Sequence, residues 1–366
     1  MTHFAARRPG QCGFTIIETL VAGAVIIAVA ATLLPMLGSG MYRSGMMVSA
    51  NNLRRIADGC AAYEATWNGR QWSKTTDSMG HYDGCNDYRN YACPPTLILG
   101  VDDSEGLWGY WISGNQPSCA NWPGTCGNWP LIMPMAIGGT TGSLSTTANV
   151  GLGSWSVINA RGLREYIADR FYDPVFYSPN DALIYQKLQA GQFNSPAEFA
   201  YQPGAVYPST YGLSPAAIWG VGTFRAPRDG GFRAPDDYPQ AYITPNASIA
   251  TYPDKKTRLI EQRWCQQPPA LARTEFTTEQ YYRFNSGAGS QPGTIFYDGH
   301  VSFVPMSTFA ADDATAAQQT GDGLWSRDTP YGANGVWSNE AIDGFYNSAH
   351  LLTTDGILGR DLLHAK

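Results

Sequence analysis

The sequence has little charge and little histidine. Charged residues fill 15% of its 366 positions, well under the roughly 25% of ordinary soluble domains. Positive charge is not in excess: 24 Lys and Arg face 30 Asp and Glu, a formal net charge of −6. Nucleic-acid affinity rests on a basic footprint, so no nucleic-acid partner is expected. Histidine occurs five times. No CxxC, HExxH, GxSxG, Walker or GxGxxG motif appears with supporting context, so no catalytic residue is assigned and no enzyme is expected. Disorder is excluded as well, because 11 Trp, 21 Tyr and 14 Phe supply core material.

One stretch is nearly free of charge. Phe14 to Leu34 reads FTIIETLVAGAVIIAVAATLL, 21 residues with Glu18 as the only formal charge. That length spans a bilayer as a helix. Arg7 and Arg8 precede it, which predicts a cytoplasmic N-terminus and places the rest of the chain across the membrane. A cleaved secretory signal and a plain anchor are the simpler readings. A carboxylate inside the apolar run is costly, however, and asks for a purpose. The helix is expected to continue past Pro35, because Leu53, Ile56, Cys60, Tyr63 and Trp67 share one face. Asn68-Gly69 supplies a stop. A helix over 14–67 would be about 80 Å long, and Gly38, Gly40 and Gly45 would let its middle bend or melt.

Gly13-Phe14-Thr15-Ile16-Ile17-Glu18 followed by an apolar helix resembles the N-terminal signal of type IV prepilins and type II secretion pseudopilins. The resemblance covers the first fifty or so residues. It implies a leader, 1–13, removed by a prepilin peptidase between Gly13 and Phe14, with methylation of the new Phe14 amine. It also implies an assembly role for Glu18, paired with the amine of a neighbouring subunit, and a helix kink at Pro35. The expected fold is α+β and pilin-like: a long N-terminal helix, 14–67 (14–34 transmembrane), packed on an antiparallel sheet in an exported head, 68–366, with long disulfide-pinned loops. The expected location is the bacterial inner membrane, single-pass, with the head in the periplasm or on an extracellular filament. The expected partners are the peptidase, other pilin or pseudopilin subunits and the inner membrane.

Loss of the leader removes Cys12 and leaves Cys60, Cys85, Cys93, Cys119, Cys126 and Cys265. An even number in an oxidising compartment suggests three disulfides. Sequence neighbours suggest Cys85–Cys93 and Cys119–Cys126, leaving Cys60–Cys265 to tie the helix to the distal sheet. Residues 70–130 read as irregular and aromatic. Within them Trp122 and Trp129 occupy a short repeat, CANWP and CGNWP, and form either a ligand platform or a cap on the cystine loop. The platform reading makes the protein a membrane-anchored or filament-tip adhesin, the alternative to a structural subunit.

Further along, 160–172 reads as a helix ended by Asp173-Pro174, and a short helix is expected near Ser214–Trp219. Phe224–Asp229 and Phe232–Asp237 form a second repeat, read as two similar turns on a surface loop. Thr294–Tyr297, Asp298-Gly299 and His300–Phe303 read as a hairpin with a type I′ turn. This ending is similar to that of a large prepilin-like family marked by a His, nine residues, then Asp-Gly. The Asp-Gly and His-Val are present, but Ala288 stands at the His spacing, and Phe284 is the better match by local context. No metal ligand is assigned. Ca²⁺ is the one cofactor considered, at Asp102-Asp103-Glu105, Asp236-Asp237 or Asp312-Asp313, none of which matches an EF-hand.

Overall fold

The computed structural model describes residues 15–73, 96–101, 107–111, 155, 158–170, 172–181, 188–190, 209–233, 239–261, 291–329, 332–333 and 349–365. For 34–39, 96–101, 107–111, 161, 239, 242, 329 and 332–333 it describes the backbone alone. The chain divides into two units, Met1–Gly45 and Met46–Lys366.

The first unit is the opening of helix α1, Ile16–Thr66. Its window Ile16–Leu33 has a mean hydropathy of 2.3 and no buried share, so it is long and apolar enough to cross a membrane once. Ile16, Ile17, Leu20 and Ile27 all point outward with two thirds or more of their surface exposed. The helix runs without interruption past Pro35 and through Gly38, Gly40 and Gly45, so the melting suggested by the glycines does not occur.

In the second unit α1 turns amphipathic, as its stripe predicts. Leu53, Ile56 and Cys60 are buried, Tyr63 is half-buried, and Trp67 is exposed at the end. The stop falls where expected: Asn68 and Gly69 take φ values of 56° and 80°. The Gly69 N–H then caps the Glu64 carbonyl at 2.6 Å. Gly59 matters for packing rather than for a turn. A Cβ there would lie 2.1 Å from Ile167 Cγ1 and 3.1 Å from the Tyr166 carbonyl oxygen. Gly59→Val should therefore destabilise the head by about 1–3 kcal/mol through overpacking, read as a lower denaturant midpoint.

The helix packs against an antiparallel sheet of four strands: β3 (Tyr211–Leu213), β4 (Thr257–Glu261), β5 (Gly293–Phe296) and β6 (Val301–Phe303), hydrogen-bonded in that order. The register pairs Gly212 with Ile260, Ile260 with Thr294, and Thr294 with Ser302. Leu53 lies 3.0 Å from the Cβ position of Gly293, so helix and sheet meet there. Leu259, Ile295, Trp155, Phe176, Trp219 and Phe309 fill one core. Phe309 belongs to helix α2, Met306–Thr320, which ends at Gly321 with φ 86°. The described residues of the second unit are compatible with an α+β class.

Four local expectations are corrected. The Asp298-Gly299 turn is not type I′, because only Gly299 of the two has positive φ, at 88°. Gly299 N–H donates to Phe296 O and Phe296 N–H to His300 O, both at 3.0 Å. This is a three-residue loop with a glycine bulge. The helix at 160–172 is one turn, Arg161–Arg164, followed by hydrogen-bonded turns as far as Asp169, which takes φ 48°. Asp173 starts a 3₁₀ turn, Pro174–Phe176, instead of only ending a helix; its Oδ1 accepts from Val175 N–H at 2.9 Å. The Phe224 and Phe232 repeat is not simply a surface loop. Phe224 and Phe232, the first residues of the two copies, form an antiparallel bridge with rings 5.5 Å apart, and Phe224 is buried. The short helix near 214 is present as Pro215–Ile218. Within 70–130, Thr96–Val101 and Leu107–Trp111 pair as antiparallel strands β1 and β2. Their TLILGV and LWGYW sequences suit strands better than irregular loop.

Candidate processing and assembly site

The site at the head of α1 is built by Thr15 and Glu18. Thr15 N–H and the Thr15 hydroxyl donate to Glu18 Oε2 at 2.8 and 2.9 Å. Glu18 N–H is 3.3 Å from Thr15 Oγ1 in return. This is a capping box, in which the cap residue and the third helical residue satisfy each other's free donors. The four-residue T-x-x-E pattern announces it, and the charge-based reading of Glu18 passes over it. The carboxylate sits at the helix N-terminus, where the partial positive end of the helix favours it. The helix thus begins two residues after the Gly13–Phe14 bond. Gly13 and Phe14 lie outside the described residues. Pro35 lies inside α1.

The other assigned residues divide. Cys85, Cys93, Cys119, Cys126, Cys265, Trp122 and Trp129 lie outside the described residues. Cys60 is a free buried thiol, so the expected tie from helix to distal sheet is not made at its helical end. Burial raises its pKa to about 11, opposed by the charge of Arg258. Asp102-Asp103-Glu105 and Asp236-Asp237 lie outside the described residues. Asp312 and Asp313 are engaged in packing. Asp312 accepts from Leu363 N–H at 2.8 Å; Asp313 accepts from Leu324 N–H at 2.7 Å and pairs with Arg327 at 2.5 Å. Among the described residues no three His, Cys, Asp or Glu side chains gather as a metal site would require.

A buried polar cluster among the described residues has no local sequence signal. Lys256, the residue before β4, and Asp361 are fully buried and meet at 2.8 Å. Lys256 Nζ also donates to Ser214 Oγ at 2.9 Å and Thr353 Oγ1 at 3.0 Å. Asp361 accepts from Thr257 N–H, Thr257 Oγ1, Thr353 Oγ1 and His350 N–H, at 3.0, 2.6, 2.6 and 2.9 Å. Burial works against the carboxylate, but Lys256 and these donors outweigh it and hold the Asp361 pKa down to about 2. Burial and the Lys256 charge hold His350 down to about 3, so it is neutral. A Ser–Lys contact can activate a nucleophile. Here Ser214 is fully buried and donates to the His350 carbonyl at 2.5 Å. The cluster fastens strands and C-terminal segment together. A second tie joins helix to sheet, where Arg258 of β4 meets Glu64 of α1 at 2.5 Å, both largely buried.

No family model, curated protein or solved structure matches the chain.

Proposed function

We propose that the chain is a prepilin-like structural subunit. It is processed after Gly13, anchored by the span that α1 begins, and assembled through that helix into a type IV pilus or type II secretion pseudopilus. Glu18 is the observation that carries this reading. A carboxylate stands four residues after Phe14 in sequence, on an apolar helix whose window Ile16–Leu33 is unburied, held at the helix start by Thr15. Cleavage at Gly13 would free a cationic amine at Phe14, close enough along the chain to answer that charge in this subunit or the next. In lipid an ionised carboxylate demands such a partner.

The head is bulky for a subunit stacked at every step of a tight filament, which favours a minor or accessory place. Its situation is the inner membrane, with the head beyond it. Mass spectrometry of the mature N-terminus tests the proposal. The expected result is a chain starting at a methylated Phe14. A start after residue 30, or an intact Met1, overturns it.

A further inference from the structure

We propose that Glu261 is a proton-operated latch. As an acid it holds the stretch of α1 around Ser49 and Asn52 onto the sheet, and as a carboxylate it lets that stretch go. Glu261 closes β4 and is buried. Ser49 of α1, fully buried, donates to Glu261 Oε1. Gly293 N–H of β5 donates to Oε2 at 2.6 Å. Ser49 Oγ also lies 3.0 Å from Tyr211 Oη of β3, to which Asn52 Nδ2 donates at 3.3 Å. One carboxyl therefore joins the helix to three strands.

The groups facing it are known from each element among the described residues. The helix presents Ser49 and Asn52, and β5 presents a backbone N–H. From β3 comes Tyr211, and from the 174–181 segment come Ser178 and Asp181. That set holds a second carboxylate and no Lys, Arg or His. Contrast Glu64, twelve residues after Asn52 on the same helix, which has Arg258. A buried charge without a counter-ion is the costly case. Burial, with Asp181 adding to it, raises the pKa of Glu261 above its ordinary 4.5 despite the donors. A raised folded-state value means stability that is complete below 4.5 and is lost as pH rises through the folded value.

Hydrogen exchange of the full-length protein in detergent, corrected for intrinsic rates, tests the latch in wild type and Glu261→Gln. Protection over 46–56 should fall with rising pH in wild type, by up to about tenfold per pH unit between 4.5 and the folded pKa, and level off above it. In Glu261→Gln it should stay flat, because the amide keeps an acceptor and cannot ionise. If Glu261→Gln fails to fold, Ser49→Ala is read instead; it should lower protection at acid pH and shrink the pH dependence. A flat wild-type profile overturns the latch, as does an equal fall in wild type and variant.

Discussion

Glu18→Gln and Glu18→Val should both leave the protein in the membrane and keep it out of filaments. Membrane insertion depends on the apolar span, and removing its only charge makes that span more apolar, not less. Assembly, on the proposed function, depends on a carboxylate meeting the Phe14 amine of a neighbour. Gln keeps an acceptor for Thr15 N–H and so retains much of the helix cap, whereas Val loses it. A capping interaction is worth about 0.5–2 kcal/mol. If the cap alone mattered, Gln would assemble and Val would not. If charge neutralisation matters, both fail alike. Membrane fractionation followed by quantification of sheared filaments or secreted cargo separates the two, and normal incorporation of both variants would end the assembly role.

Lys256→Met should be strongly damaging. Breaking a buried pair from one side costs about 3–5 kcal/mol, because the remaining charge is stranded. Asp361→Ala should cost at least as much, since it strands the Lys256 ammonium and orphans donors from Thr257, Thr353 and His350. A double apolar replacement therefore should not restore stability, unlike a simple ion pair. The lowered pKa of Asp361 adds a signature: its contribution is complete above 3.8 and disappears as pH falls toward about 2. Denaturant titration of the full-length protein in detergent at a series of acid pH values reads both effects. A wild-type midpoint that is flat across this window would contradict the assignment.

Reading the chain in order revealed most where physics is local. The membrane-length span, the amphipathic turn from Leu53 to Tyr63 and the Asn68-Gly69 stop all rest on spacing within one helix, and all stand in the structure. The β5–β6 hairpin was legible for the same reason, whereas the α+β expectation came from the resemblance at the N-terminus. What escaped is the set of partners far apart in sequence. Lys256 and Asp361 are 105 residues apart, Ser49 and Glu261 are 212 apart, and Glu64 and Arg258 are 194 apart. Each looks like an ordinary polar residue until the fold buries it. The turn at Asp298-Gly299 escaped differently. Asp-Gly permits two loop geometries, and the choice is made by neighbours: Asp298 N–H is taken by Pro253 O and Tyr297 N–H by Lys256 O. The capping box at Thr15 was readable and local, and shows that Glu18 has a task inside its own helix besides any it has outside.

The distance between Lys256 and Asp361 along the chain sets an order of events during synthesis. Strand β4 emerges with its lysine long before residue 361 exists. Until then the ammonium has no counter-charge, and burying it is unfavourable, so the sheet cannot settle around Ser214 and Thr257. The Lys256–Asp361 tie can therefore close only after about a hundred further residues have emerged. A chain truncated before Asp361 would keep Lys256 without its counter-charge, so the last residues of the chain complete a cluster begun about a hundred residues earlier.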